Sequence, residues 1–119
     1  MLRPMSCTHF EFASAPFVPG GHPLEQKKLC ADRPVGMLRF EPGFADPNWC
    51  ERAHVIYVLS GTLELELRDR TQRVTAGNGC WLDAGTPHRA SNPGSEPAAM
   101  VIVSDIALAA TGAEPEGTQ

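Results

Sequence analysis

The sequence predicts an all-β domain, a sandwich or closed barrel of about six to ten short strands. Three observations carry this. Gly and Pro each number 11 among 119 residues, and they fall between apolar runs rather than in one low-complexity block. Turn signals recur at short intervals from Val35 onward, and one segment alternates apolar and polar side chains without a break. At 12.8 kDa with 42% hydrophobic residues, the chain has room for one domain and a modest core.

Residues 1–35 read as an irregular N-terminal arm with an outer strand. Pro4, Pro16, Pro19-Gly20-Gly21, Pro23 and Pro34 interrupt it repeatedly, and His9-Phe10-Glu11-Phe12 alternates as that strand would. Leu24 to Leu29 is polar in its middle and fits either a strand or a short helix. The barrel is expected over 36–110. Met37–Glu41 forms a strand stopped by Pro42-Gly43, and Val55–Leu59 is β-branched and aromatic, followed by a Ser60-Gly61 turn. Thr62–Arg68 puts Leu63, Leu65 and Leu67 on one face and Glu64, Glu66 and Arg68 on the other, a half-buried antiparallel strand. Asp69–Gln72 is a hairpin tip returning through Arg73–Thr75, and Ala76-Gly77-Asn78-Gly79 is a turn suited to positive φ. Cys80–Leu82, His88–Asn92 and Ala98–Ser104 complete the strands. A short helix is expected next, capped by Ser104 or Asp105 and stopped at Gly112, with a frayed tail over 111–119.

Composition narrows the function. A net charge of −4 with scattered arginines gives no electrostatic footprint for nucleic acid. No apolar stretch approaches the ~20 residues of a membrane span. The first residues lack the apolar core of a signal peptide, so a cytoplasmic location is expected. Cysteines at 7, 30, 50 and 80 are too far apart for a C-x-x-C pair and read as free thiols. There is no phosphate-cradling loop, nucleophile elbow or H-E-x-x-H, and Ser91, His88 and Asp83 make a triad by composition only.

Two histidines stand out by position. Gly77, Asp83, Gly85, His88 and Asn92 follow the spacing G-x5-P-x-G-x2-H-x3-N, with Asp83 in place of the proline. His54 and Gly61 follow the E-x6-G end of G-x5-H-x-H-x3-4-E-x6-G, with His54 in place of the glutamate. Asn48 and Cys50 then occupy the two histidine positions, and Gly43 stands one residue closer to Asn48 than the pattern has it. These motifs resemble the two signatures of the cupins, over residues 36 to 104.

The resemblance implies a jelly-roll β-barrel, often dimeric, holding a divalent metal through three histidines and a glutamate. Carried over, it keeps His88, substitutes His54 and Cys50, and offers Asn48. The residues themselves point the same way, since two imidazoles and a thiolate suit zinc or iron(II), with manganese or nickel also admissible. Strand parity would turn Cys50 and His54 inward together, and Arg52 with them, unless a bulge brought Glu51 into range instead. The expected metal ligands are His54, His88 and Cys50, with Glu51, Asn48 and Trp49 near the substrate. Trp49 and Trp81 could flank the mouth, although packing explains each as well. Tyr57 has the opposite parity to His54 and is expected to face away. The expected function is a small cupin acting through its metal on a small polar organic molecule, as a dioxygenase, isomerase or lyase. The alternative is a metal-free binding or sensing barrel. A homodimer is expected, using outward apolar residues such as Val55, Tyr57 and Leu59.

Overall fold

The computed structural model describes residues 5–105. Nine strands form two antiparallel sheets, and there is no helix among the described residues. They are β1 Val18–Pro19, β2 Glu25–Leu29, β3 Val35–Phe40, β4 His54–Ser60, β5 Thr62–Leu67, β6 Thr71–Thr75, β7 Gly79–Leu82, β8 His88–Ser91 and β9 Ala98–Ser104. The larger sheet runs β1-β2-β3-β9-β4-β7 and the smaller β6-β5-β8, in the manner of a jelly roll. No helix here is long and apolar enough to cross a membrane.

Alternation builds the core. His54, Ile56 and Val58 of β4 point inward, and they pair with Ser104, Ile102 and Met100 of β9. From the facing sheet come Leu63 and Leu65 of β5 with Val74 of β6. Phe40 and Phe44 stack with ring centroids 4.0 Å apart and close one end. The chain crosses from the large sheet to the small one at Gly61. Its φ is +76°, and a Cβ there would lie 2.5 Å from the Pro97 carbonyl oxygen, so only glycine fits.

The N-terminal third departs from expectation. His9–Phe12 forms no strand; instead Phe10 and Phe12 pack on each other, centroids 4.9 Å apart. The edge of the sheet is supplied by β1 and β2. Leu24–Leu29 resolves as a strand because Glu25–Leu29 pairs residue for residue with Gly36–Phe40. A polar segment can be a strand when a neighbour satisfies its backbone and solvent takes its outer face. The helix expected after Ser104 and the tail over 111–119 lie outside the described residues.

Asn92, the last residue of the second motif, is buried and structural. Its amide donates to the carbonyls of Phe40 (3.0 Å) and Glu96 (2.8 Å), and its Oδ1 accepts from the Gly94 amide at 2.9 Å. One side chain thus ties β3 to the turn between β8 and β9. Replacing Asn92 by Ala should lower unfolding stability by about 2–3 kcal/mol, because buried carbonyls lose their donor. A urea titration of both proteins checks this.

Candidate functional site

Three side chains meet at one end of the barrel interior. A donor atom from each of Cys50, His54 and His88 lies within 4.8 Å of the others. His54 begins β4 and His88 begins β8, so each ring enters from a different sheet. Cys50 belongs to no long strand. It is held against β8 by two backbone hydrogen bonds, its amide donating to the His88 carbonyl (2.8 Å) and its carbonyl accepting from the His88 amide (2.9 Å). The Gly85 amide donates to the Glu51 carbonyl at 2.8 Å and pins the same loop again.

Each imidazole is oriented by its far nitrogen. His88 Nδ1 lies 2.8 Å from the Thr86 carbonyl oxygen, which can only accept, so Nδ1 carries the proton. Nε2 is left as a lone pair with no protein hydrogen-bond partner among the described residues. His54 Nδ1 lies 3.0 Å from Ser104 Oγ, and its Nε2 lies 3.6 Å from Cys50 Sγ. The rings meet edge to face with centroids 5.3 Å apart. This is the outer support typical of metal-binding histidines, which donate one N–H to an oxygen and present the other nitrogen.

The donor types suit a tetrahedral ion. Bond lengths of about 2.0–2.3 Å place donors roughly 3.3–3.6 Å from one another around zinc. The Cys50–His54 separation of 3.6 Å already meets that requirement. Burial holds the His54 imidazole down to about 4, aided by His88 and Arg52 and opposed by Asp105. His54 is therefore neutral near pH 7, as a ligand must be.

Parity does not bring Arg52 inward. The chain bends at Arg52 instead of running as a strand, and the guanidinium turns out to Asp105, Nη2 donating to Oδ2 at 2.8 Å. That bond raises Arg52 further and holds the Asp105 carboxyl below the usual carboxylate range. The Asp105 amide also donates to the Ala53 carbonyl at 2.7 Å, clipping the end of β9 to the start of β4. The cation is drawn off the metal side without a bulge.

Glu51 does not join the cluster, and neither it, Asn48 nor Trp49 lines the cavity beside it. The bend that removes Arg52 leaves Glu51 exposed. Asn48 is exposed in a turn in which its amide donates to Asp46 Oδ1 at 2.9 Å. Trp49 is held by two guanidinium groups, Arg68 at 3.9 Å and Arg89 at 4.5 Å from its ring centroid. Trp81 is exposed and its Nε1 donates to Asp83 Oδ1 at 3.0 Å, so the residue in the proline position steadies an indole. Sequence reasoning missed Ser104 as the partner of His54. The signal was present, since Ser104 ends an otherwise apolar strand at inward parity.

A cavity of about 160 Å³ opens from the three donors into the barrel. Leu38, Phe40, Ile56, Leu65, Met100 and Ile102 are among the apolar side chains of its wall.

The fold and this site define a small single-domain β-barrel with a three-donor pocket at one end. Residues 36–104 match the Cupin domain family, and the chain belongs to it. Solved structures agree on the fold. The polyketide cyclase RemF from Streptomyces resistomycificus is 21% identical with a TM-score of 0.69, covering 83% of this chain and 79% of that one. KdgF from Halomonas sp. is also 21% identical, with a TM-score of 0.67 and coverage of 82% and 94%. Drosophila melanogaster CENP-C bound to CAL1 is 13% identical at a TM-score of 0.63, covering 75% and 80%. No curated protein matches.

The depressed His54 predicts a pH dependence in protein stripped of metal by a chelator. The unfolded chain takes up this proton near pH 6.5, whereas the folded chain resists it down to about 4. Between these values the unfolded state binds more protons, so stability falls as pH falls. The groups facing His54 are Cys50, His88, Arg52, Ser104 and Asp105. Urea midpoints at pH 7 and pH 4.5 should differ in the native chain and differ less in His54→Gln.

Proposed function

We propose that this cupin binds one divalent transition metal through Cys50, His54 and His88 and uses it on a small organic ligand. The observation that carries the reading is the oriented pair of imidazoles, each with its Nδ1 tied to an oxygen, His88 with its Nε2 unpartnered and His54 with its Nε2 beside the Cys50 thiol. A soft thiolate beside two imidazoles favours zinc or iron(II) over manganese, and nickel is also admissible. When bound, the metal supplies a Lewis acid that polarises an oxygen of the ligand. Ser104 and Thr86 keep the ring planes fixed while ligands exchange. The apolar wall excludes water from the reacting end, and the Arg52–Asp105 pair keeps a competing cation away. All four cysteines are free, which suits the reducing, cytoplasmic setting the thiolate requires.

Metal analysis of protein purified without a His-tag should give close to one ion per chain. His54→Ala and His88→Ala should each lower affinity by about 10–100-fold or more while circular dichroism keeps the β spectrum. Cys50→Ser should shift preference from zinc toward harder ions. A stoichiometry near zero that loading does not raise would favour the metal-free binding barrel.

The chain also pairs with a second copy through the outer face of the large sheet in this reading. Tyr57, Leu59 and Trp81 are 47%, 45% and 59% exposed, and Val55, Val101, Val103 and Met37 are half-buried beside them. Cross-strand pairs Val55–Trp81, Val55–Val103 and Tyr57–Val101, with Met37–Val101 beyond, make these residues one continuous patch. Its side chains are uncharged, so it is self-complementary without opposing charge. Sedimentation should give a dimer that Tyr57→Lys converts to monomer. A native chain sedimenting as a monomer at all concentrations would overturn the pairing.

A further inference from the structure

We propose that the ligand of this site is compact and largely apolar, a single ring of phenol size carrying one oxygen donor. The oxygen's destination rests on the metal reading above; the apolar body rests on the cavity alone. At about 160 Å³ the cavity is below the usual range for drug-sized ligands and close to the ~150 Å³ apolar space that accepts benzene.

Its wall is mostly carbon. Three charged residues reach the lining besides the donors, and each is engaged elsewhere. Glu25 Oε1 accepts from the Gly21 amide at 3.1 Å. Asp46 Oδ1 accepts from the Asn48 amide at 2.9 Å. Arg89 Nε donates to Glu66 Oε1 at 2.7 Å while its guanidinium lies against Trp49. A polyhydroxylated ring of equal size would bury its hydroxyls against Ile56, Leu63, Leu65 and Met100, which offer no partner. An apolar ring meets carbon on every side, and a single oxygen on its rim faces Cys50, His54 and His88. This lining disfavours sugars and polyols and admits monocyclic phenols.

The test uses the full chain in two forms. In protein stripped of metal, methyl resonances of Ile56, Leu65 and Met100 are followed while toluene, naphthalene or inositol is added. Toluene should shift these methyls at millimolar concentration, whereas naphthalene, too large, and inositol, too polar, should not. Shifts with inositol and none with toluene overturn the proposal. In protein loaded with cobalt(II), phenol should change the visible absorption bands and bind at least about tenfold more tightly than to the stripped form. Toluene should leave those bands unaltered. Toluene shifts without cobalt uptake would sink the metal reading and leave the apolar cavity standing. Cobalt uptake with no toluene shift would do the reverse. Ala90→Leu, which narrows the cavity, should abolish the toluene shifts if its other methyl resonances stay native-like; toluene shifts that persist in it overturn the assignment.

Discussion

The site depends on a two-bond exchange between the backbones of Cys50 and His88. Bonds from Asp46 to Ala90 and from Asn92 to Phe44 hold the start of the loop on β8, and the exchange fixes its far end, setting the thiol beside an imidazole. The exchange is the narrow rung of an antiparallel pair, the same interaction that builds the sheets, used here outside a regular strand, as antiparallel pairing is again between Ala45 and Ser91. The Gly85–Glu51 bond next to it sets the direction in which the loop leaves. Gly85 has a φ of +85°, so the turn before His88 can present its amide there without strain. Backbone chemistry places the donor; side-chain chemistry then uses it.

Much of this was legible in the residues. The alternation in Thr62–Leu67 fixes a buried face, and the structure buries Leu63 and Leu65 accordingly. The spacing from Gly77 to Asn92 puts His88 at the start of a strand, where its ring enters the interior. His54 follows from parity with Ile56 and Val58. What parity could not decide was residues 48–53, because a period of two holds only within a strand. The bend at Arg52 breaks the count, and an ion pair with Asp105, 53 residues away, holds it broken. Glu51 stands outside the three-donor cluster for that reason. Similarly, the strand sought at His9–Phe12 lost to Glu25–Leu29, whose polar sequence hides a complete set of backbone partners in β3.

Electrostatics and packing divide the interior between them. The end near Phe40 and Ala98 is closed by carbon, and Asn92 satisfies the carbonyls that the closing turns would otherwise strand there. The opposite end carries the three donors. Arg52 lies near them, Arg89 and Asp46 reach the cavity wall, Glu25 lies at the Phe40 end, and each is hydrogen-bonded to another group. Left free, either arginine would oppose a cation by direct repulsion in a low-dielectric space. The arrangement therefore turns the neighbouring charges away from the three donors, with Arg52 and Asp105 acting on His54 in opposite senses.

A consequence for coordination follows from counting charge and donors separately. The signature that the motifs resemble provides three imidazoles and a carboxylate, which gives one negative charge and four donors. In the proposed site a Cys50 thiolate would supply the single negative charge, and His54, at the carboxylate position, a neutral imidazole. Asn48 stands exposed, so the donor count would fall to three while the ligand charge is unchanged. A tetrahedral ion so held would keep one position for an outside ligand, the arrangement of catalytic rather than structural zinc. The cavity opens from these donors, so shape and coordination would act on the same molecule.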